Sequence, residues 1–234
     1  MLGLLVSLSG CGQAPGRESP AASRSSKAAP ASPAAHDGAP SPAPGPATAT
    51  RSGTRYRVNA AASRITARVE VGGLLAAAGH PHTIAITEFG GEVSLPEGRS
   101  GAATLRLAIR SDSLGETGKE FDEKDRRKVN QSVHEEALET GRFPEIVFQG
   151  RSESVRGADG EYEATIRGDL TLHGVTRPVS IPVKVRQQDD RLRAAGGFTI
   201  LHSQYGIKRL SAGAGMVKAK DEIAITFEIQ ADRI

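Results

Sequence analysis

The chain has 234 residues, of which 30 are Lys or Arg and 27 are Asp or Glu, giving a formal net charge of +3 at pH 7. Residues 54–234 hold 26 basic and 25 acidic residues, a balance that argues against phosphate-backbone binding, so no nucleic-acid partner is expected. A single cysteine excludes an intramolecular disulfide, and no apolar run reaches the roughly 18 residues of a membrane-spanning helix.

The N-terminal stretch MLGLLVSLSGC is apolar and ends in the tetrapeptide LSGC, Leu8 to Cys11. It resembles a bacterial lipobox, in which the cysteine becomes the lipidated first residue of the mature protein. No Lys or Arg stands among residues 1–11, which departs from the usual signal pattern, and a buried segment with an incidental cysteine is the alternative. We expect a signal segment over residues 1–11, lipidation of Cys11, and a membrane-anchored lipoprotein of the bacterial cell envelope that faces the periplasm.

Residues 12–53 have a strongly biased composition: 32 of these 42 residues are Ala, Pro, Ser or Gly. Such a segment cannot bury enough apolar surface to offset the entropy lost on ordering. We therefore expect a disordered tether that joins the anchor to a domain at residues 54–234.

In the remaining chain, apolar and polar side chains alternate with a period of two. In ATLRLAIR, Ala103 to Arg110, the residues Ala103, Leu105, Leu107 and Ile109 share one face. This alternation predicts antiparallel strands that are buried on one face only. Eight segments show it: residues 64–71, 83–95, 103–110, 145–152, 162–172, 179–186, 191–201 and 222–230.

Short connections that carry turn residues, such as GADGE at residues 157–161, indicate a meander that closes on itself. One segment breaks the pattern, because at about residues 119–140 the chain is charged and has apolar residues at helical spacing. The predicted fold class is all-β, an extended antiparallel eight-stranded barrel with a short helical insertion. A barrel of eight strands is either filled by side chains or holds one small ligand.

Two further segments carry a resemblance to a known family. GDLTLHGVTRPVSIPV, Gly168 to Val183, and RFPEIVFQ, Arg142 to Gln149, are similar to the signature segments of YceI-like proteins. The resemblance covers about residues 54–232. It implies a lipocalin-like barrel that binds long apolar molecules such as polyisoprenoids, isoprenoid quinones or fatty amides, is periplasmic or secreted, and has no known catalytic centre. A homodimer is implied by the resemblance alone.

The segment AGHPHTIAI departs from the commoner form of the family and places His80 and His82 at a strand entrance. Positions i and i+2 of an extended chain face the same side, so both rings could reach one metal ion. Zinc would need further ligands, for which His134, His173 and His202 are the candidates, although their spacing is not that of metal ligands. Structural or pocket-rim roles and contact with a ligand head group are the other interpretations.

The apolar faces of the strands, with Phe121 and Phe143, are expected to line a lipid tunnel. The residues predicted to bind the lipid are Val69, Phe89, Leu105, Leu107, Ile109, Phe121, Phe143, Phe148, Leu170, Leu172, Val183, Phe198 and Ile200. His80, His82 and Tyr205 are predicted to form the mouth of the pocket, where polar residues would hold the head group.

The expected function is non-enzymatic binding or transport of an isoprenoid, an isoprenoid quinone or a related long-chain lipid in the barrel interior. No catalytic residue, metal or cofactor is expected, apart from a bound isoprenoid or quinone-like lipid. Two alternatives stay open: a metal-binding or enzymatic envelope accessory protein that uses the His80/His82 segment, and a filled barrel that acts as an adaptor in the envelope.

Overall fold

A computed structural model describes residues 53–96 and 101–234. The predicted signal segment, its lipidation site at Cys11 and nearly all of the predicted tether lie outside the described residues. The described residues form twelve strands: β1 (Gly53–Val58), β2 (Arg64–Gly72), β3 (His82–Ile86), β4 (Phe89–Pro96), β5 (Thr104–Arg110), β6 (Leu114–Glu116), β7 (Glu145–Ala158), β8 (Glu161–Leu172), β9 (Val175–Gln188), β10 (Arg191–Leu201), β11 (Ser211–Ala212) and β12 (Val217–Arg233).

Eight strands close into an antiparallel ring in the order β1-β4-β5-β7-β8-β9-β10-β12, and β12 pairs again with β1. Three of these strands extend past short breaks in the chain: β1 is followed by β2, β4 is preceded by β3, and β5 is followed by β6. These extensions also pair side by side, in the order β2-β3-β6. The prediction of an all-β, eight-stranded barrel is therefore confirmed. The segment predicted as a single strand over residues 83–95 is divided at Thr87–Glu88.

Two tight hairpins follow from residues that accept positive φ. Asp159 and Gly160 join β7 to β8 with φ of 53° and 84°, and His173 and Gly174 join β8 to β9 with φ of 52° and 73°. Positive φ at both central residues characterises the type I′ turn, whose twist matches that of the flanking strands. The His-Gly pair of the family signature is thus a turn.

The helical insertion lies where the sequence predicts it. Helix α1 (Glu123–Ser132) is followed by one π-helical turn, Val133–Ala137. The Asp122 side chain caps α1 by accepting a hydrogen bond from the Asp125 amide at 2.8 Å. Asn130 ties the helix to β6, because its Oδ1 accepts from the Glu116 amide at 2.7 Å. No helix among the described residues is both long enough and apolar enough to cross a membrane.

The strand register places several elements at one end of the barrel. The turn between β8 and β9, the end of β10, the start of β3 and the strand β6 that leads to α1 all lie there. We call it the α1 end. The turns between β7 and β8 and between β9 and β10 lie at the opposite end.

Candidate ligand-binding cavity

A cavity of about 1250 Å³ occupies the barrel interior. On β8 its wall extends from Tyr162 to Leu172, ten residue steps that span roughly 33 Å along the strand. A strand tilt of about 40° reduces this to roughly 25 Å along the barrel axis. The volume exceeds the range of about 300–1,000 Å³ usual for small-molecule pockets. The length and the volume of the cavity together suit a long, slim molecule.

The wall is mainly aliphatic because alternate residues of each strand point inward. β12 contributes a continuous inward row. The alternation over residues 222–230 placed the first four members of this row on one face, but the predicted lining omits all of them. That row is Ile223, Ile225, Phe227, Ile229 and Ala231. A barrel with such an internal space is not filled by its own side chains, which argues against the filled-barrel adaptor.

Eleven of the thirteen residues predicted to bind the lipid line this cavity. They are Val69, Leu105, Leu107, Ile109, Phe121, Phe148, Leu170, Leu172, Val183, Phe198 and Ile200. His80 and His82, predicted for the mouth, line it as well. Their contact with a ligand stays a prediction.

Phe89, Phe143 and Tyr205 do not line the cavity. Phe89 opens β4 just after the break at Thr87–Glu88 and packs among core side chains. Phe143 precedes β7 and packs edge to face on His173, with 4.4 Å between ring centroids. Tyr205 is fully buried in the core, at the end of a 3-10 turn, so it cannot form a mouth.

At the α1 end, His82 packs in a cluster with Phe121 and Glu116 and does not form a pair with His80 alone. Its ring stacks on Phe121, with centroids 4.9 Å apart, and its Nδ1 donates to Glu116 Oε2 at 2.8 Å. His80 is exposed and meets the same phenyl ring edge-on at 6.2 Å. The two histidines thus share Phe121, which holds the loop after β6 against the cavity.

The Glu116 carboxylate organises this cluster. Its side chain is completely buried, and its Oε1 accepts hydrogen bonds from the Thr83 amide at 3.1 Å and the Gly118 amide at 2.6 Å. Burial raises the pKa of Glu116, but the hydrogen bonds from His82, Gly118 and Thr83 outweigh it and leave the pKa below its ordinary range. The carboxylate is therefore ionised at neutral pH, and it links the start of β3 to the loop after β6.

The histidines considered as further zinc ligands take separate structural positions. His173 Nε2 donates to Glu139 Oε2 at 2.8 Å, and its Nδ1 lies 3.1 Å from the Tyr205 carbonyl oxygen. His134 Nδ1 is buried without a hydrogen-bond partner among the described residues. Within residues 53–96 and 101–234, no three His, Cys, Asp or Glu side chains are grouped so that they could hold a metal ion.

Sequence reasoning considered His202 only as a zinc ligand and missed it as a lining residue. It lines the cavity and is 8% exposed. The signal was present, because Phe198 and Ile200 point inward and His202 is the next residue of the same parity.

The sequence matches the YceI-like domain over residues 56–231. The chain belongs to the YceI-like family. This result agrees with the signature segments 168–183 and 142–149, which form the β8–β9 hairpin and the entry into β7. The curated proteins compared include none that matches this sequence significantly.

Solved structures support the same fold. BcnA of Burkholderia cenocepacia is 20% identical, with a TM-score of 0.54 over 74% of this chain and 98% of that one. A structure from Saccharophagus degradans, described as a polyisoprenoid binding domain implicated in plant cell wall breakdown, is 16% identical, with a TM-score of 0.54 over 76% and 97%. At these identities the similarity establishes the barrel fold.

Proposed function

We propose that this YceI-like protein binds an isoprenoid, an isoprenoid quinone or a related long-chain lipid inside its barrel, as a carrier rather than an enzyme. The observation that carries this proposal is the elongated cavity of about 1250 Å³ with its aliphatic wall. The polyisoprenoid binding domain with the same fold supports it.

The wall accounts for affinity without a charged contact. Burying about ten methylene-sized groups contributes on the order of 8 kcal/mol before the costs of association. A flexible chain loses conformational freedom on binding, so further contacts along the tunnel have to offset that loss. We therefore expect affinity to increase with chain length until the lipid reaches the ends of the cavity.

Two neighbouring alanines of β10 allow a matched test. Ala194 lines the cavity, whereas Ala195 faces outward and is exposed. The substitution Ala194→Phe fills cavity space, and we expect it to weaken geranylgeraniol binding to the full-length protein at least roughly tenfold. Ala195→Phe adds the same side chain outside and should leave binding within about twofold. Equilibrium binding of radiolabelled geranylgeraniol measures both.

If the unmodified protein binds no geranylgeraniol above background, the proposed function is wrong. Equal loss of affinity in both variants would place the lipid outside the barrel. Thermal unfolding of each variant serves as the control for folding.

We further propose that the protein is a lipoprotein held at the bacterial envelope, facing the periplasm. The LSGC sequence that ends at Cys11, the single cysteine of the chain, supports this. We expect Cys11→Ala to abolish acyl labelling and to move the protein from the membrane fraction to the soluble fraction. Unchanged fractionation and labelling would contradict the proposed anchor.

A further inference from the structure

His202 lies at the α1 end of the cavity, immediately after β10. It opens a 3-10 turn, His202–Tyr205, and its ring is almost completely buried while it lines the cavity. The aliphatic neighbours Ile200 and Ile223, which are paired across β10 and β12, line the wall next to it. A buried imidazole in such a wall calls for a hydrogen-bond partner.

An irregularity in β12 fixes the orientation of this ring. The register of β12 against β2 shifts between Ala219 and Ile223, as at a β-bulge, and such bulges redirect groups beside functional sites. Asp221 lies within the irregular stretch. Its carbonyl oxygen accepts a hydrogen bond from His202 Nδ1 at 2.9 Å, and its carboxylate accepts from the Ser203 amide at 2.9 Å and the Ser203 hydroxyl at 2.6 Å.

These contacts determine the tautomer of His202. A carbonyl oxygen only accepts, so Nδ1 carries the proton. Burial lowers the pKa of His202, although the contacts with Asp221 oppose the shift, and the ring is neutral at pH 7. Nε2 then presents a lone pair and acts only as an acceptor.

Nε2 of His202 has no hydrogen-bond partner among the described residues. The atoms of that part of the chain that are both sealed from solvent and unpaired are Arg126 Nε, His134 Nδ1 and Tyr205 Oη. His202 Nε2 is not one of them, so it is unpaired yet accessible, on a ring that lines the cavity.

The two lysines that line the cavity at this end are already paired. Lys128 Nζ lies 3.3 Å from Asp125 Oδ1, and Lys208 Nζ lies 2.6 Å from Glu136 Oε2. Both side chains are also largely exposed. They therefore provide no dedicated donor for the head of a ligand.

We infer that His202 accepts a hydrogen bond from a hydroxyl group on the head of the bound lipid. The inference rests on the proposed function and specifies its ligand class, a long-chain lipid that ends in an alcohol, a phenol or a quinol. An ether or a quinone carbonyl brings only lone pairs to the same position. Such a head group leaves the imidazole nitrogen desolvated and unpaired, which costs affinity.

The test compares geranylgeraniol with its methyl ether, which has the same chain but no donor. On the full-length protein we expect the alcohol to bind roughly tenfold more tightly than the ether. In His202→Asn the amide can still donate to the Asp221 carbonyl but offers no acceptor at the position of Nε2. This variant should bind the two probes within about twofold of each other.

Tyr162→Phe is the matched control, because Tyr162 lines the cavity at the opposite end of the barrel. It should keep the preference for the alcohol. Equal binding of the two probes by the unmodified protein overturns the inference alone, and that comparison needs no variant. A preference that survives in His202→Asn, or is lost in Tyr162→Phe, overturns it too. Failure of both probes to bind overturns the proposed function and the inference with it.

Discussion

Glu116 shows how one buried side chain organises the α1 end of the barrel. Its carboxylate holds the start of β3 through the Thr83 amide, the loop after β6 through the Gly118 amide, and the ring of His82. A buried carboxylate is tolerated only when its oxygens receive such donors. His82 and Thr83 lie at the start of β3, 34 and 33 positions from Glu116, whereas Gly118 lies only two positions after it. The contact therefore joins the loop that carries Phe121 to the barrel.

We predict that Glu116→Gln lowers the free energy of unfolding by about 1–3 kcal/mol, because the neutral amide accepts more weakly and places a donor against donors. Urea unfolding measures the change. Glu120→Gln, an exposed position in the same segment with no hydrogen bond from its side chain among the described residues, is the control and should be nearly neutral. A loss of the same size in both variants would contradict the role given to Glu116.

The same carboxylate makes stability depend on pH. The pKa of Glu116 is lower in the folded protein than in the unfolded chain, where Glu titrates near about 4.3. The stabilisation that the Glu116 carboxylate contributes is complete at pH values above its pKa in the unfolded chain, and it is lost as the pH falls through its pKa in the folded protein. The test measures the free energy of unfolding of both proteins from about pH 6 down to about pH 3. As the pH falls, this free energy should decrease more steeply for the unmodified protein than for Glu116→Gln.

The β8–β9 hairpin is the element in which the family signature has its clearest structural meaning. Gly174 takes a φ of +73°, and a Cβ atom there would lie 2.6 Å from Cε1 of Phe143. His173 beside it reaches Glu139 and the Tyr205 carbonyl. The signature therefore holds together the hairpin, the segment after the π-helical turn and the 3-10 turn that begins with His202.

We predict that Gly174→Ala lowers the free energy of unfolding by roughly 1–2 kcal/mol, because alanine is strained at positive φ and collides with Phe143. Gly141→Ala is the control, since no heavy atom lies within 4 Å of its added Cβ and its φ is not positive. Thermal unfolding distinguishes the two. A neutral Gly174→Ala would show that the turn tolerates a side chain.

At the scale of the whole molecule, closure of the ring creates the cavity. β12, the last strand, pairs with β10 on one side and with both β1 and β2 on the other. The chain ends of the domain are thus joined in the sheet, which leaves the inward faces of all eight strands around one internal space. The helix α1 and the cluster around Glu116 adjoin this space at one end.

The sequence by itself determined the fold class, the inward faces of the strands and the family. Period-two alternation decides which side chains share a face, and a turn such as His173–Gly174 requires residues that tolerate positive φ. These properties are local, so eleven of the thirteen predicted lining residues could be placed from the chain alone.

Only the tertiary structure decided how the ends of the barrel are built. Phe143 and Tyr205 pack away from the cavity because loops and 3-10 turns do not follow strand alternation. The pairing of His82 with Glu116 and of His202 with Asp221 joins residues 34 and 19 positions apart. Such pairs depend on strand register and on an irregularity in β12, and hydrogen-bond partners across a sheet leave no periodic pattern in the sequence.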